Sequence, residues 1–175
     1  MEVLLRDGVH GCTVRSIAAA AGVSKGSVHY YFADVEDIVD QAMLQATTAW
    51  ITWLRAGGPS ELPEDPEPAE LLWCSVTACL EPFAHGDRSL LPLWMEYWAL
   101  RSRADQLEPL RLLQALLTGY VAELLDRAGI ADSEARSMAV TSYLFGTSMQ
   151  QSVFPVDQAR VRLDIAALCG IDPPA

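Results

Sequence analysis

Residues 13–32, TVRSIAAAAGVSKGSVHYYF, hold a dense set of groups able to meet a phosphate: Thr13, Arg15, Ser24, Lys25, Ser27, His29, Tyr30 and Tyr31. Hydroxyls, an ammonium and ring donors bind phosphate oxygens, and Gly26 lets a second backbone come close. Catalytic sets are absent from the sequence. Its three histidines, His10, His29 and His85, fall on separate segments. No HExxH, Walker A or dinucleotide fingerprint occurs, and Gly22-Val23-Ser24-Lys25-Gly26, which spells GxSxG, lacks the preceding strand that a nucleophile elbow needs. Gly8-x-x-Gly11 and Gly22-x-x-x-Gly26 bracket loops and follow no strand. Cys12, Cys74, Cys79 and Cys169 lack CxxC spacing and read as reduced, buried thiols. The expectation is a protein that is not an enzyme, with no cofactor and no metal.

The elements that must carry these groups are helices. Helical spacing recurs along the chain, with no sustained alternation of β-branched residues. Gly and Pro punctuation predicts a stub near 1–7, short helices near 14–20 and 25–31, and longer ones near 35–56, 68–84, 87–103, 106–128, 133–153 and 156–169. Residues 60–68, SELPEDPEP, read as an acidic Pro-rich loop. Thr13 and Ser24 stand where side chains cap the second and third helices. Gly22 follows the second helix and suits a left-handed cap. Val14, Ile17 and Ala18 form one buried face, and Val23, Val28 and Phe32 are expected to face inward. The outward face is then Lys25, Ser27, His29, Tyr30 and Tyr31. A solvated face has little use for three rings in a row, and a core face would not carry Lys25 and Ser27. Two short helices about a Gly-containing turn make a helix-turn-helix, a shape suited to a DNA groove.

The runs Thr13 to Ala18, Ala21 to Val28 and Tyr30-Tyr31-Phe32 resemble the DNA-binding segment of TetR-type transcriptional regulators. The close resemblance covers about 30 residues, and beyond it only the architecture of six longer helices agrees. It implies an all-α fold: an N-terminal three-helix helix-turn-helix domain, 1–45, and a six-helix ligand-binding and dimerisation domain, 46–175. It implies a cytoplasmic homodimer that binds a palindromic double-stranded operator, a repressor released by a small molecule. Thr13, Lys25 and Tyr31 match positions that usually contact phosphates. Ser27 and Tyr30 match positions near base edges or phosphates, and Arg15 lies on the helix that crosses the backbone. Ser24, Gly26 and His29 complete the expected DNA-binding set.

Three features depart from the resemblance. The first helix has seven residues before Gly8, about half the usual length, which would leave the apolar base of the motif uncovered or mean that the chain starts earlier. His29 stands where tyrosine is usual. The fourth helix opens Asp34-Val35-Glu36-Asp37 where a lysine is usual. Asp34 and Asp37 make a sound cap and suit the helix dipole, yet they set negative charge beside the expected DNA backbone. A TetR-like dimeric binding protein with weak or lost DNA binding is the alternative reading.

After residue 45 large aromatics accumulate. Core packing accounts for such rings, and rings on several helices of a bundle can also line an apolar ligand pocket. The expected ligand site is Trp73, Trp94, Trp98, Tyr120 and Tyr143, with Glu96, Gln114 and Gln150 as further polar candidates. Aromatic faces beside acids suit an aromatic or cationic effector. Glu96 and Glu123 are otherwise expected in solvent, or paired with Arg101 and Arg127. Ala139, Gly146, Gln150 and Phe154 on the eighth helix, with Val161, Ile165 and Leu168 on the ninth, are the expected dimer interface.

The net charge is −11, from 12 basic and 23 acidic residues. Such acidity argues against nucleic acid until the chain is divided. Residues 1–33 carry three basic and two acidic groups, a net of +1; the remainder carries nine and 21, a net of −12. The acidity belongs to the later helices and spares the expected DNA-reading surface. Hydrophobic residues make up 51% of the chain, which excludes disorder, and no apolar run reaches the length of a membrane span.

Overall fold

A computed structural model describes residues 1–56, 67–84, 90–151 and 153–172, with the side chains of 68, 81–84 and 90 outside the description. The fold is all-α. The described residues form α1 (Glu2–Asp7), α2 (Val14–Ala21), α3 (Lys25–Tyr31), α4 (Val35–Arg55), α5 (Pro68–Ala84), α6 (Leu90–Arg103), α7 (Glu108–Arg127), α8 (Ser133–Gln151) and α9 (Gln158–Cys169). Most of the acidic Pro-rich loop and the expected first turn of α6, residues 87–89, lie outside the described residues. No described helix is long and apolar enough to cross a membrane.

Local chemistry sets the helix ends. Thr13 accepts the Ser16 N–H at 3.0 Å while Ser16 Oγ accepts the Thr13 N–H at 2.9 Å, a reciprocal box that satisfies donors the helix cannot. Gly22, at φ +66°, closes α2: its N–H reaches Ala19 O, and the Val23 N–H reaches Ala18 O. This left-handed close is strained for any residue with a Cβ. At the start of α4, Asp34 accepts the Asp37 N–H at 2.8 Å, and Asp37 accepts the Ala33 N–H at 3.2 Å. The expected acidic cap is therefore present.

The chain divides into two compact units: Met1–Ala49 with Arg88–Leu113, and Trp50–Asp87 with Gln114–Ala175. In the first, Val3, Leu4, Met43, Leu93, Tyr97 and Leu113 share one core, so α6 packs with the short N-terminal helices. In the second, Leu72, Val76, Tyr120, Leu125, Val140 and Ile165 share another, built from α5, α7, α8 and α9. One expectation fails here. Val23, whose apolar side chain is expected to face inward, is 47% exposed. The left-handed turn at Gly22 swings the chain outward, and Ala18 and Val28, each 4% exposed, are the buried apolar residues of those helices.

Candidate nucleic-acid interface

The third helix presents its polar face as its cap dictates. Ser24 accepts the Ser27 N–H at 3.1 Å, and the two hydroxyls lie 2.9 Å apart. Val28 anchors the helix in the core. Lys25, Gly26, His29, Tyr30 and Tyr31 are exposed, and Ser27 is half-buried beside its cap. Tyr30 and Tyr31 are 82% and 74% exposed, with rings edge to face at 5.0 Å. The two rings touch one another and otherwise stand open to solvent on a short helix. Thr13 and Arg15 are exposed at the start of α2. All nine expected DNA-binding residues thus lie on α2, α3 and their caps, and eight of them are exposed.

The electrostatic surroundings are mixed. Asp34, Glu36, Asp37, Asp40, Asp105 and Glu108, with Arg101 and Arg111, flank a cleft of about 640 Å³ at the start of α4. Among the described residues no His, Cys, Asp or Glu cluster is arranged to hold a metal. At the cleft, Arg101 is 2% exposed. Its Nε meets Asp40 at 2.9 Å, Nη1 meets Glu36 at 2.8 Å and also Gln106, and Nη2 meets the Glu36 carbonyl at 2.9 Å. Burial alone would lower the Arg101 guanidinium; the bonds to Glu36 and Asp40 outweigh it and hold it above its ordinary value. Tyr97 donates to Asp40 at 2.5 Å, and burial raises its phenol well above the usual range. A smaller cleft of about 240 Å³, flanked by Leu4, Cys12, Ile17 and Val39, lies at the base of the motif.

Sequence reasoning missed this cluster. Glu36 and Asp40 are four apart on α4, and Tyr97 and Arg101 four apart on α6, but nothing local says that the two pairs meet. Two acids expected in solvent or paired along their own helices take other partners, Glu123 with its side chain still 41% exposed. Glu96 accepts the Val9 and His10 N–H groups at 3.0 and 3.1 Å, and Glu123 pairs with Arg55 at 2.6 Å; neither takes the arginine on its own helix.

The expected ligand residues fall in both units. Trp73 and Tyr120 are buried in the core of the second unit, and Tyr120 donates to Ser75 at 3.0 Å. Burial pushes the Tyr120 phenol up to about 12. Tyr143, half-buried in the same unit, donates to Asp164 at 2.7 Å. Trp94 packs on the core of the first unit, and Trp98 is 37% exposed. Of the expected dimer residues, Ala139, Gln150 and Phe154 are exposed, and Gly146 and Leu168 half-buried. Val161 and Ile165 point into their own core, at 1% and 0% exposure. The open stripe of α9 is instead Ala159, Leu163 and Ala167.

Residues 1–42 match the family described as bacterial regulatory proteins, tetR family. The chain carries a tetR-family N-terminal domain. In solved structures, the chain is similar to a transcriptional regulator from Rhodococcus sp. Rha1, with TM-score 0.66 and 19% identity over 97% of this chain and 89% of that one. It is also similar to a candidate transcriptional regulator from Pseudomonas aeruginosa PAO1, with TM-score 0.63 and 23% identity over 95% and 83%. No curated protein matches the chain. At these identities the structural likeness is one of fold, and it runs over nearly all of the chain.

Proposed function

We propose that the protein is a ligand-responsive, DNA-binding transcriptional regulator, a cytoplasmic repressor released from its operator by a small molecule. The observation that carries this reading is the exposed face of α3, where Lys25, Tyr30 and Tyr31 stand clear of a helix anchored by Val28. Lys25 and Tyr31 serve phosphates, which set register; Ser27 and Tyr30 stand nearest base edges. Residues 1–45 form the DNA-reading part, and 46–175 sense the ligand and dimerise.

The effector site includes Trp73, Tyr120 and Tyr143, where an apolar interior carries a few placed hydroxyls. An aromatic or cationic molecule suits it. A thermal-shift screen in which only aliphatic or anionic compounds bind would remove that ligand class. Two copies join through the face of α8 that carries exposed Ala139 and Gln150 and half-buried Gly146, together with Phe154 and the stripe of α9. A two-fold dimer presents two α3 helices to successive half-sites. Ligand favours a dimer geometry that no longer fits those half-sites, a shift that requires different ligand affinity in the two states.

A second reading, a dimeric small-molecule-binding protein with little DNA affinity, is favoured by the acidic cleft at the start of α4. A gel shift with the chain's own upstream DNA separates the two: a discrete, salt-sensitive complex supports the regulator, and its absence supports the second reading.

A further inference from the structure

The segment between α1 and α2 carries no regular structure, and its backbone N–H groups need partners from elsewhere. Two of them find one side chain. The Val9 N–H donates to Glu96 Oε2 at 3.0 Å and the His10 N–H to Oε1 at 3.1 Å, across 87 and 86 residues of sequence. Gly8 makes the approach possible. It sits at φ +72°, and a Cβ placed there would come within 2.7 Å of Glu96 Oε2. Both oxygens of one carboxylate are thus spent on two successive amides, a charge-assisted arrangement stronger than neutral bonds.

The bonds continue toward the DNA-facing end of α2. Gly11 O accepts from Ser16 Oγ at 3.1 Å, and Ser16 is the reciprocal cap partner of Thr13. Val9 and Cys12, 6% and 8% exposed, fix the same segment in the core that also holds Leu93 and Tyr97 of α6. A carboxylate from α6 therefore sets the path of the chain into Thr13.

We propose that Glu96 is a positioning residue for DNA binding: from α6 it fixes the 8–11 segment, and through Ser16 it holds Thr13 and the first turn of α2 in the register that meets phosphate. This rests on the DNA-binding reading above. Glutamine at this position offers one acceptor oxygen, and its amide NH₂ faces a backbone N–H donor, so the bidentate hold is lost.

The test is fluorescence anisotropy of the full chain on a duplex from its upstream region, at fixed salt and at a temperature where circular dichroism shows each variant folded. Glu96→Gln is expected to weaken binding about tenfold, the loss of one charge-assisted bond expressed as affinity. Gly8→Ala reaches the same bond from the other side and is expected to weaken binding similarly. The double variant is expected to be no weaker than the worse single one, because both remove one interaction. The amide resonances of Val9 and His10 are expected to move upfield in Glu96→Gln, a signature that a general loss of stability does not produce. Wild-type affinity in folded Glu96→Gln, or additive losses in the double variant, overturns the assignment alone. A wild-type chain that binds no duplex overturns the DNA-binding reading and this assignment with it.

Discussion

Arg101 on α6 and Asp40 on α4, 61 residues apart, are ion-paired at 2.7 Å, with the arginine side chain 2% exposed and the aspartate 28%. Arg101 also meets the Glu36 carboxylate and carbonyl, so one guanidinium closes the first turns of α4 against α6. Its planar fork matches two acceptors at once, which a lysine could not do.

The first prediction concerns that pair. Asp40→Ala leaves a buried cation with Glu36 as its remaining acid and strands the Tyr97 hydroxyl. Removing one partner of a buried pair costs about 3 kcal/mol or more. Urea unfolding followed by circular dichroism checks this through a lower midpoint at unchanged slope. A loss below about 1 kcal/mol would place the pair with ordinary surface ion pairs.

The acidic opening of α4 separates two roles that the same residues play. Asp34 and Asp37 cap the helix through carboxylate oxygens, and in the proposed reading they also add negative charge beside the DNA-reading face. Asn keeps a side-chain oxygen and removes the charge. The Asp34→Asn, Asp37→Asn double variant is therefore expected to keep its thermal midpoint within a few degrees while binding DNA more tightly at low salt. Anisotropy titrations at two salt concentrations check it; the gain shrinks as salt rises. An unchanged affinity at low salt would mean that these acids lie away from the DNA backbone.

A third prediction follows from Asp164. The hydrogen bond from Tyr143, and then Arg160 at 2.9 Å, hold its carboxyl below the ordinary aspartate value. A carboxylate depressed in the folded state stabilises above the unfolded value and loses that stabilisation as pH falls through the folded one. Stability is thus expected to fall on acidification below about pH 4, with part of the slope owed to this group. Asp164→Asn should flatten that limb and leave the neutral region nearly flat. Thermal midpoints between pH 2.5 and 7 provide the check, and an acid slope identical in the variant would refute the link.

What could be read in the sequence was what is local. Thr13, Ser24, Gly22 and Asp34 act within four residues of themselves, so their caps and the left-handed turn were legible along with the helices they bound. The exposed face of α3 was legible for the same reason, since helical spacing alone separates Val28 from Tyr30 and Tyr31. What failed depends on partners far along the chain. Glu123 has Arg127 four residues on but pairs with Arg55, and Glu96 is met by amides of a segment more than 80 residues earlier. Val161 and Ile165 show a second limit: an apolar stripe announces burial, and the stripe itself cannot say whether the covering surface is its own chain or a copy. Val23 shows a third, because a left-handed residue beside it redirected a side chain that apolarity alone sent inward.

The most direct measurement is the affinity of the wild-type chain and Lys25→Ala for a duplex from the upstream region, taken across a range of salt. Lys25 is exposed at the first position of α3, and the proposed reading assigns it a phosphate contact. Wild type is expected to bind with log K falling linearly in log salt. Lys25→Ala should weaken binding to every duplex alike and reduce the slope by about one, the signature of a single lost phosphate contact. A wild-type chain that binds no duplex, or a variant with the same affinity and slope, would contradict the account.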